Sequence, residues 1–179
     1  MSPLVCWLLK NPTFPVVLAS AIVALIGFYT TRHLTRSKHS IDFESSYHQS
    51  EKLSGAMKAM LLWMEQNPGW AATEALADTA EHEMVGHIRE MLNTWERASI
   101  AVRRKVYDEN LLYNAYGTSV IWMWKSMVPY MRKRQAKNPR LYMNFDWLAI
   151  RWMIRRNGDG DARNLRRLKI ALRHLNKLH

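Results

Sequence analysis

The longest uninterrupted pattern in the chain is apolar. No charged residue occurs from Asn11 to Thr31, and Val16 to Tyr29 is almost wholly hydrophobic. Val16 to Ile26 has no polar face, unlike the amphipathic helix of an ordinary soluble core. A span of 21 residues matches the roughly 20 that a helix needs to cross a hydrocarbon layer. Pro15 suits a first helical turn, where its missing N–H costs nothing. Trp7 before the run, and Phe28 with Tyr29 at its end, are placed for the headgroup level. A cleaved export signal fits less well, because only Lys10 precedes the run and Asn11-Pro12 interrupts anything earlier. Cleavage at the small triplet Ala19-Ser20-Ala21 would also leave Ile22 to Phe28 as an apolar new terminus. The pattern therefore predicts a stub and uncleaved transmembrane anchor over residues 1–31. Arg32, Arg36 and Lys38 follow the run, with His33 and His39 nearby, against Lys10 alone before it. The positive-inside rule then places the N-terminus outside and residues 32–179 in the cytoplasm, for a single-pass protein of a bacterial inner membrane.

Beyond a basic juxtamembrane linker over 32–40, the periodicity is helical throughout, with no alternating run long enough for a strand. Ile41 to Gln66 carries Leu53, Met57, Met60 and Met64 at helical spacing and stops at Asn67-Pro68-Gly69. Trp70 to Val106 shows a stripe of Met84, Ile88, Met91, Trp95, Val102 and Val106, with a break expected near Asp78-Thr79. Asp108 is placed to cap a third helix whose face is Leu112, Tyr116, Val120, Trp124 and Met127. Pro129 is expected to kink or end it. Pro139 is expected to open a fourth, with Leu141, Phe145, Leu148 and Trp152 inward. After a turn at Asn157 to Gly160, Leu165, Leu168, Leu172 and Leu175 line a basic amphipathic helix over 158–179. The predicted fold is all-α: one transmembrane helix, then a cytosolic bundle of four to five helices within 41–157 and the tail.

Composition supports this picture. Hydrophobic residues make up 48% of the chain, with 8 Trp and 11 Met against 7 Gly and 6 Pro, which favours a helical core over disorder. The single cysteine, Cys6, leaves no internal disulfide or Cys-rich zinc site. The net charge of +11 favours anionic partners, and much of it lies between Arg151 and His179. Candidate contacts to an anionic surface are Arg32, Arg36, Lys38, Arg163, Arg166, Arg167, Lys169, Arg173 and Lys177. The tail can pack on the bundle, lie on the membrane, or bind nucleic acid, although no aromatic residue follows Trp152 to stack on bases.

Two stretches imitate metal motifs and fail on spacing. His82 and His87 in HEMVGH are five apart, about 140° round a helix, whereas zinc ligation needs i and i+4. NGDGDA resembles the start of a calcium loop, but Ala162 stands where Gly is required and Leu168 where Glu is required. Glu96, Ser99 and Arg103 share a stripe beside the apolar one. They read as a salt-bridged helix surface, or more sharply as a partly buried Glu96–Arg103 pair that fixes helix docking. No nucleophile or metal ligand accompanies them, so no catalytic site, cofactor, metal or small-molecule substrate is expected. Val120, Ile121, Trp122, Met123 and Trp124 leave no polar face, which marks the run as a possible partner surface.

TWERASIAVRRKVYDENLL, the Trp122/Trp124 region and NPRLYMNFDWLAIRW together resemble a group of small bacterial and prophage-type membrane proteins sharing a domain of unknown function. The resemblance covers most of Ile41 to Trp152. It carries over Glu96, Arg97, Arg103, Tyr107, Asp108, Glu109, Trp124, Asn138, Pro139, Phe145 and Trp147. It implies a membrane span with a helical cytosolic domain and no assigned activity; the prophage-type company makes interference with a host or a competing phage a conceivable setting. The functional expectation is a non-enzymatic, membrane-anchored protein that binds a protein partner or itself. The alternative is a tethered nucleic-acid binder acting through the basic C-terminal helix.

Overall fold

The apolar run does not stop where the charges begin. In the computed structural model, which describes residues 13–79, 82–156 and 162–177, helix α1 runs from Thr13 to Gln49 without a break. Residues 32–40, expected to be a linker, are therefore helical. No Gly or Pro occurs between Phe28 and Ser50, so nothing in that stretch interrupts the ladder. The break falls at Ser50, whose hydroxyl accepts the Leu53 N–H and caps α2, Glu51–Gln66. Asn67 closes α2 as predicted, with its backbone and side-chain N–H groups both donating to the Trp63 carbonyl. Gly69, at φ 107°, then turns the chain into the short α3, Trp70–Ala75.

Helix α4, Glu83–Arg103, is capped by His82, whose Nδ1 accepts the Met84 N–H. Helix α5, Glu109–Lys137, is capped by Asp108, which accepts the Asn110 and Leu111 N–H groups. Pro129 neither ends nor bounds it. Met127, Tyr130 and Met131 beside it are fully buried, and this burial outweighs the missing hydrogen bond. Helix α6 spans Met143–Arg156, so Pro139 sits in the preceding turn and does not open the helix. That turn is shaped by Asn138, whose Oδ1 accepts the Arg140 N–H, and by Tyr142 at φ 56°. Helix α7, Ala162–Lys177, closes the chain. The described residues thus form seven helices and no strand. Six follow α1, because α2 and α3 are short units split off at Ser50 and Gly69.

Helix α2 packs on α4, α4 on α6, α3 and α6 on α5, and α7 on α6, while the far half of α1 lies against α2 and α5. Trp95 and Trp152, both almost wholly buried, centre the core. Around Trp95 stand Phe43, Tyr47 and Tyr116, at centroid distances of 5.7, 5.6 and 5.4 Å. These edge-on contacts bind α1 to the bundle. The near half of α1 is different. Its best apolar window has a mean hydropathy of 1.4 and no buried residue, and the helix is long and apolar enough to cross a membrane.

Some stripe positions depart from expectation, with Met57, Met64 and Trp124 only half-buried. Val106 is 44% exposed because α4 ends at Arg103, and Leu141 is only half-buried because it precedes α6.

Candidate functional site

Helix α6 begins against a carboxylate borrowed from α4. Glu96 Oε1 accepts the Asn144 backbone N–H at 3.2 Å and its side-chain Nδ2–H at 2.7 Å, and Oε2 accepts the Phe145 N–H at 2.7 Å. These are N–H groups that an α-helix cannot satisfy internally, and a negative charge there also meets the positive end of the helix dipole. The expected Glu96–Arg103 pair does not form. Arg103 reaches past its neighbour to the Asn144 Oδ1 at 3.5 Å and the Leu175 carbonyl at 3.3 Å. Its guanidinium lies 5.2 Å from the Trp147 ring, and Arg151 approaches the same ring at 5.6 Å. Glu96 and Arg103 instead meet α6 separately, Glu96 at its start and Arg103 at Asn144 and Trp147. Ser99, on the same stripe, donates to the Trp95 carbonyl.

Asp146 is the residue that the sequence did not single out. It is 2% exposed and accepts from Trp124 Nε1 at 2.6 Å, from both Arg132 nitrogens at 2.5 and 3.2 Å, and from Gln135 Nε2 at 3.1 Å. An acid standing alone inside FDWLAI, one segment after the basic MRKRQ, was the available signal. Ser40, wholly buried inside the supposed linker, was likewise missed. Its Oγ accepts the Asp108 N–H at 2.6 Å and ties α1 to the start of α5.

The remaining sequence candidates also serve helix ends and helix contacts. Glu109 pairs with Arg151 at 2.6 Å. Trp147 donates to Asn176 at 2.9 Å, Phe145 is fully buried, and the Tyr107 ring stacks at 5.3 Å from Phe43. Arg97 is exposed on a shallow cleft between α1 and α4. Arg36 is not a free surface cation: it is half-buried and donates to the Tyr107 carbonyl at 3.2 Å. Arg32, Lys38, Arg166, Arg167, Lys169, Arg173 and Lys177 are exposed. The turn at 157–160, the Asp161 position and the Arg163 side chain lie outside the described residues. Leu168, Leu172 and Leu175 of α7 rest against the core, so the tail's apolar stripe packs on the bundle. His87 is 3.8 Å from Glu83, and among the described residues no three of His, Cys, Asp and Glu gather as a metal site would need.

Val120, Ile121 and Met123 are core, at 0%, 4% and 1% exposure, which corrects their reading as a partner surface. Trp122 and Trp124 point the other way. They are half-buried and line an open groove of about 760 Å³ between α2, α3 and α5, with Met64, Trp70, Lys125 and Val128. Trp70 is 72% exposed at its edge. Asp146 fixes the Trp124 indole from behind, so the groove wall is held by a buried charge. Burial pushes the Tyr116 and Tyr142 hydroxyls up to about 12, and raises Tyr47 and Tyr107 as well, so all four stay neutral near pH 7.

No curated protein and no solved structure matches the chain. A family match covers residues 14–152, taking in the apolar helix and the bundle as far as Trp152 and leaving out the basic tail. On that extent the chain belongs to the family described as Domain of unknown function (DUF4760).

Proposed function

We propose that the chain is a single-pass inner-membrane protein, N-terminus outside, whose cytoplasmic helical domain binds a protein partner through the aromatic groove without catalysis of its own. One observation carries the membrane part. A single helix has an uncovered apolar first half and a second half locked into the bundle by Ser40, Arg36 and Phe43. Ten large apolar side chains from Val16 to Leu34 stand exposed. At about 1.5–3 kcal/mol each on leaving water, a bilayer offers them about 15 kcal/mol or more. Cleavage after Ala21 would cut a continuous helix and leave most of them exposed, and the family match begins before that point. The asymmetry of Arg32 and Lys38 against Lys10 supports the orientation.

The groove fits an apolar protein segment with a carboxylate to meet Lys125, which is exposed on its rim. Aromatic anchors of this kind dominate protein recognition. Glu96 and Asp146, the carboxylates nearest to a catalytic arrangement, are saturated by donors, which favours binding over chemistry.

Alkaline extraction of membranes should leave the full chain in the pellet, and a C-terminal green fluorescent protein fusion should fluoresce. Release into the supernatant, or an active periplasmic phosphatase fusion, would overturn the anchor or its orientation. A photocrosslinker at Trp70 should trap one discrete partner band that Trp122→Ala abolishes. A self-adduct would assign the groove to a second copy, and no adduct would remove the groove from the proposal.

A further inference from the structure

We infer that the turn between α4 and α5, Arg104-Lys105-Val106, is a second membrane contact that seats on anionic phospholipid headgroups. This rests on the anchored reading of α1. Three contacts fix the turn's height along that helix: the Asp108 N–H to Ser40, Arg36 to the Tyr107 carbonyl at 3.2 Å, and His33 at 4.0 Å from Asp108. The apolar run ends at Thr31. At about 1.5 Å per residue, His33 lies roughly 3 Å, Arg36 roughly 7 Å and Ser40 roughly 14 Å beyond it. The headgroup layer on each face is about 5–8 Å thick. Helix α4 runs back toward the span, since Trp95 meets Phe43 and Tyr47 while Tyr107 meets Phe43 and, about two turns nearer the span, Arg36. Its terminal turn is therefore held at the outer edge of the headgroup layer, and a slight tilt of the span brings Arg104 and Lys105 onto the phosphates.

The local conformation argues the same way. Lys105 N–H bonds the Val102 carbonyl and Val106 N–H the Ala101 carbonyl, the paired closure that ends many helices. The left-handed position of that closure normally holds Gly, and here it holds Lys105 at φ 58°. The following apolar residue normally covers the helix end, yet Val106 is 44% exposed. Both departures make sense if the turn presents cations and an apolar tip to a lipid surface. Arg104 and Lys105 are exposed, and neither is within salt-bridge distance of a carboxylate among the described residues. Each cation adds about fivefold to affinity for an anionic surface. Arg32 and Lys38 flank the same end of the domain.

The test uses the full chain carrying Cys6→Ser, reconstituted in phosphatidylcholine vesicles with or without phosphatidylglycerol. Nitroxide labels are placed singly at Val106→Cys, Ile22→Cys and Gln66→Cys, and accessibility to oxygen and to a polar relaxant is measured. Ile22 should lie in hydrocarbon, Gln66 in water, and Val106 at headgroup depth when the anionic lipid is present. Adding Arg104→Gln and Lys105→Gly, a pair compatible with the turn, should return Val106 to water and leave Ile22 in place. A Val106 label as wet as Gln66 in both lipids, with Ile22 still buried, overturns this inference alone. Equal headgroup depth without phosphatidylglycerol overturns its charge basis. A wet Ile22 overturns the anchor and this contact together.

Discussion

Replacing Glu96 with Gln tests whether a borrowed carboxylate holds α6 in place. The substitution keeps size and shape but converts one acceptor oxygen into a donor NH2. One of the three bonds to Asn144 and Phe145 must then fail, and a donor will face a donor. A hydrogen bond to a charged group contributes about 1.5–3 kcal/mol, and the charge at a partly buried helix start adds about 1–2 kcal/mol. Allowing for the bonds that survive, the loss should be about 2–4 kcal/mol. For a chain of this size each kcal/mol moves Tm by roughly 2–4 °C, so Tm should fall by roughly 5–15 °C. The measurement is helical circular dichroism of the detergent-solubilised full chain during heating. Glu96→Ala should fall further, because it leaves the N–H groups with no acceptor. A Glu96→Gln chain that melts within about 1 °C of the parent would refute the argument. The carboxylate would then contribute less than even a single neutral hydrogen bond, about 0.5–1.5 kcal/mol.

Asp146→Asn should lose about 2–4 kcal/mol through its broken pairing with Arg132. It should also blue-shift the Trp124 emission, because a negative acceptor at the indole N–H stabilises the excited state. Lys105→Gly should do the opposite, raising stability by about 1 kcal/mol and Tm by a few degrees, because glycine accepts positive φ without strain. Alkaline titration gives a third outcome. Burial lifts the Tyr116 and Tyr142 hydroxyls from about 10 to about 12, so the unfolded chain loses those protons first. Stability should therefore fall as pH rises from about 10 to about 12 and hold level below that window. Tyrosinate absorbance that grows smoothly near pH 10 in the folded chain for all seven tyrosines would contradict it.

The sequence was most legible where one force acted alone. The apolar run, the stop at Asn67-Pro68-Gly69, the cap at Asp108 and the stripe from Met84 to Val102 all appear in the structure because local pattern and burial agree. It was least legible where two forces compete. Pro129 opposes its helix locally, and the buried Met127, Tyr130 and Met131 override it. The charges after Thr31 looked like a linker, yet charge does not break a helix, and the backbone continued to Ser50. Partner choice was the harder matter. Glu96 and Arg103 share a face in the sequence, but which of them meets Asn144 depends on how α6 approaches α4. That is a tertiary fact with no local signature.

This pattern of polar contacts bears on what the domain can do. Glu96 and Asp108 satisfy helix starts, Asp146 gathers Trp124 with Arg132, and Glu109 ties α5 to α6. These carboxylates are thus committed to holding helix ends and helix contacts. Two surfaces then matter, and α1 sets the distance between them. The turn at Asp108 is pinned to Ser40, nine residues past the apolar run. Trp124 lies 16 residues further along α5, about 24 Å at roughly 1.5 Å per residue. On the anchored reading, the groove is carried well beyond the headgroups while the basic turn stays at their edge. A flexible linker would have let the groove sample every height and tilt. On the same reading, a continuous helix with its far half packed into the core narrows both, and so holds the groove away from the lipid.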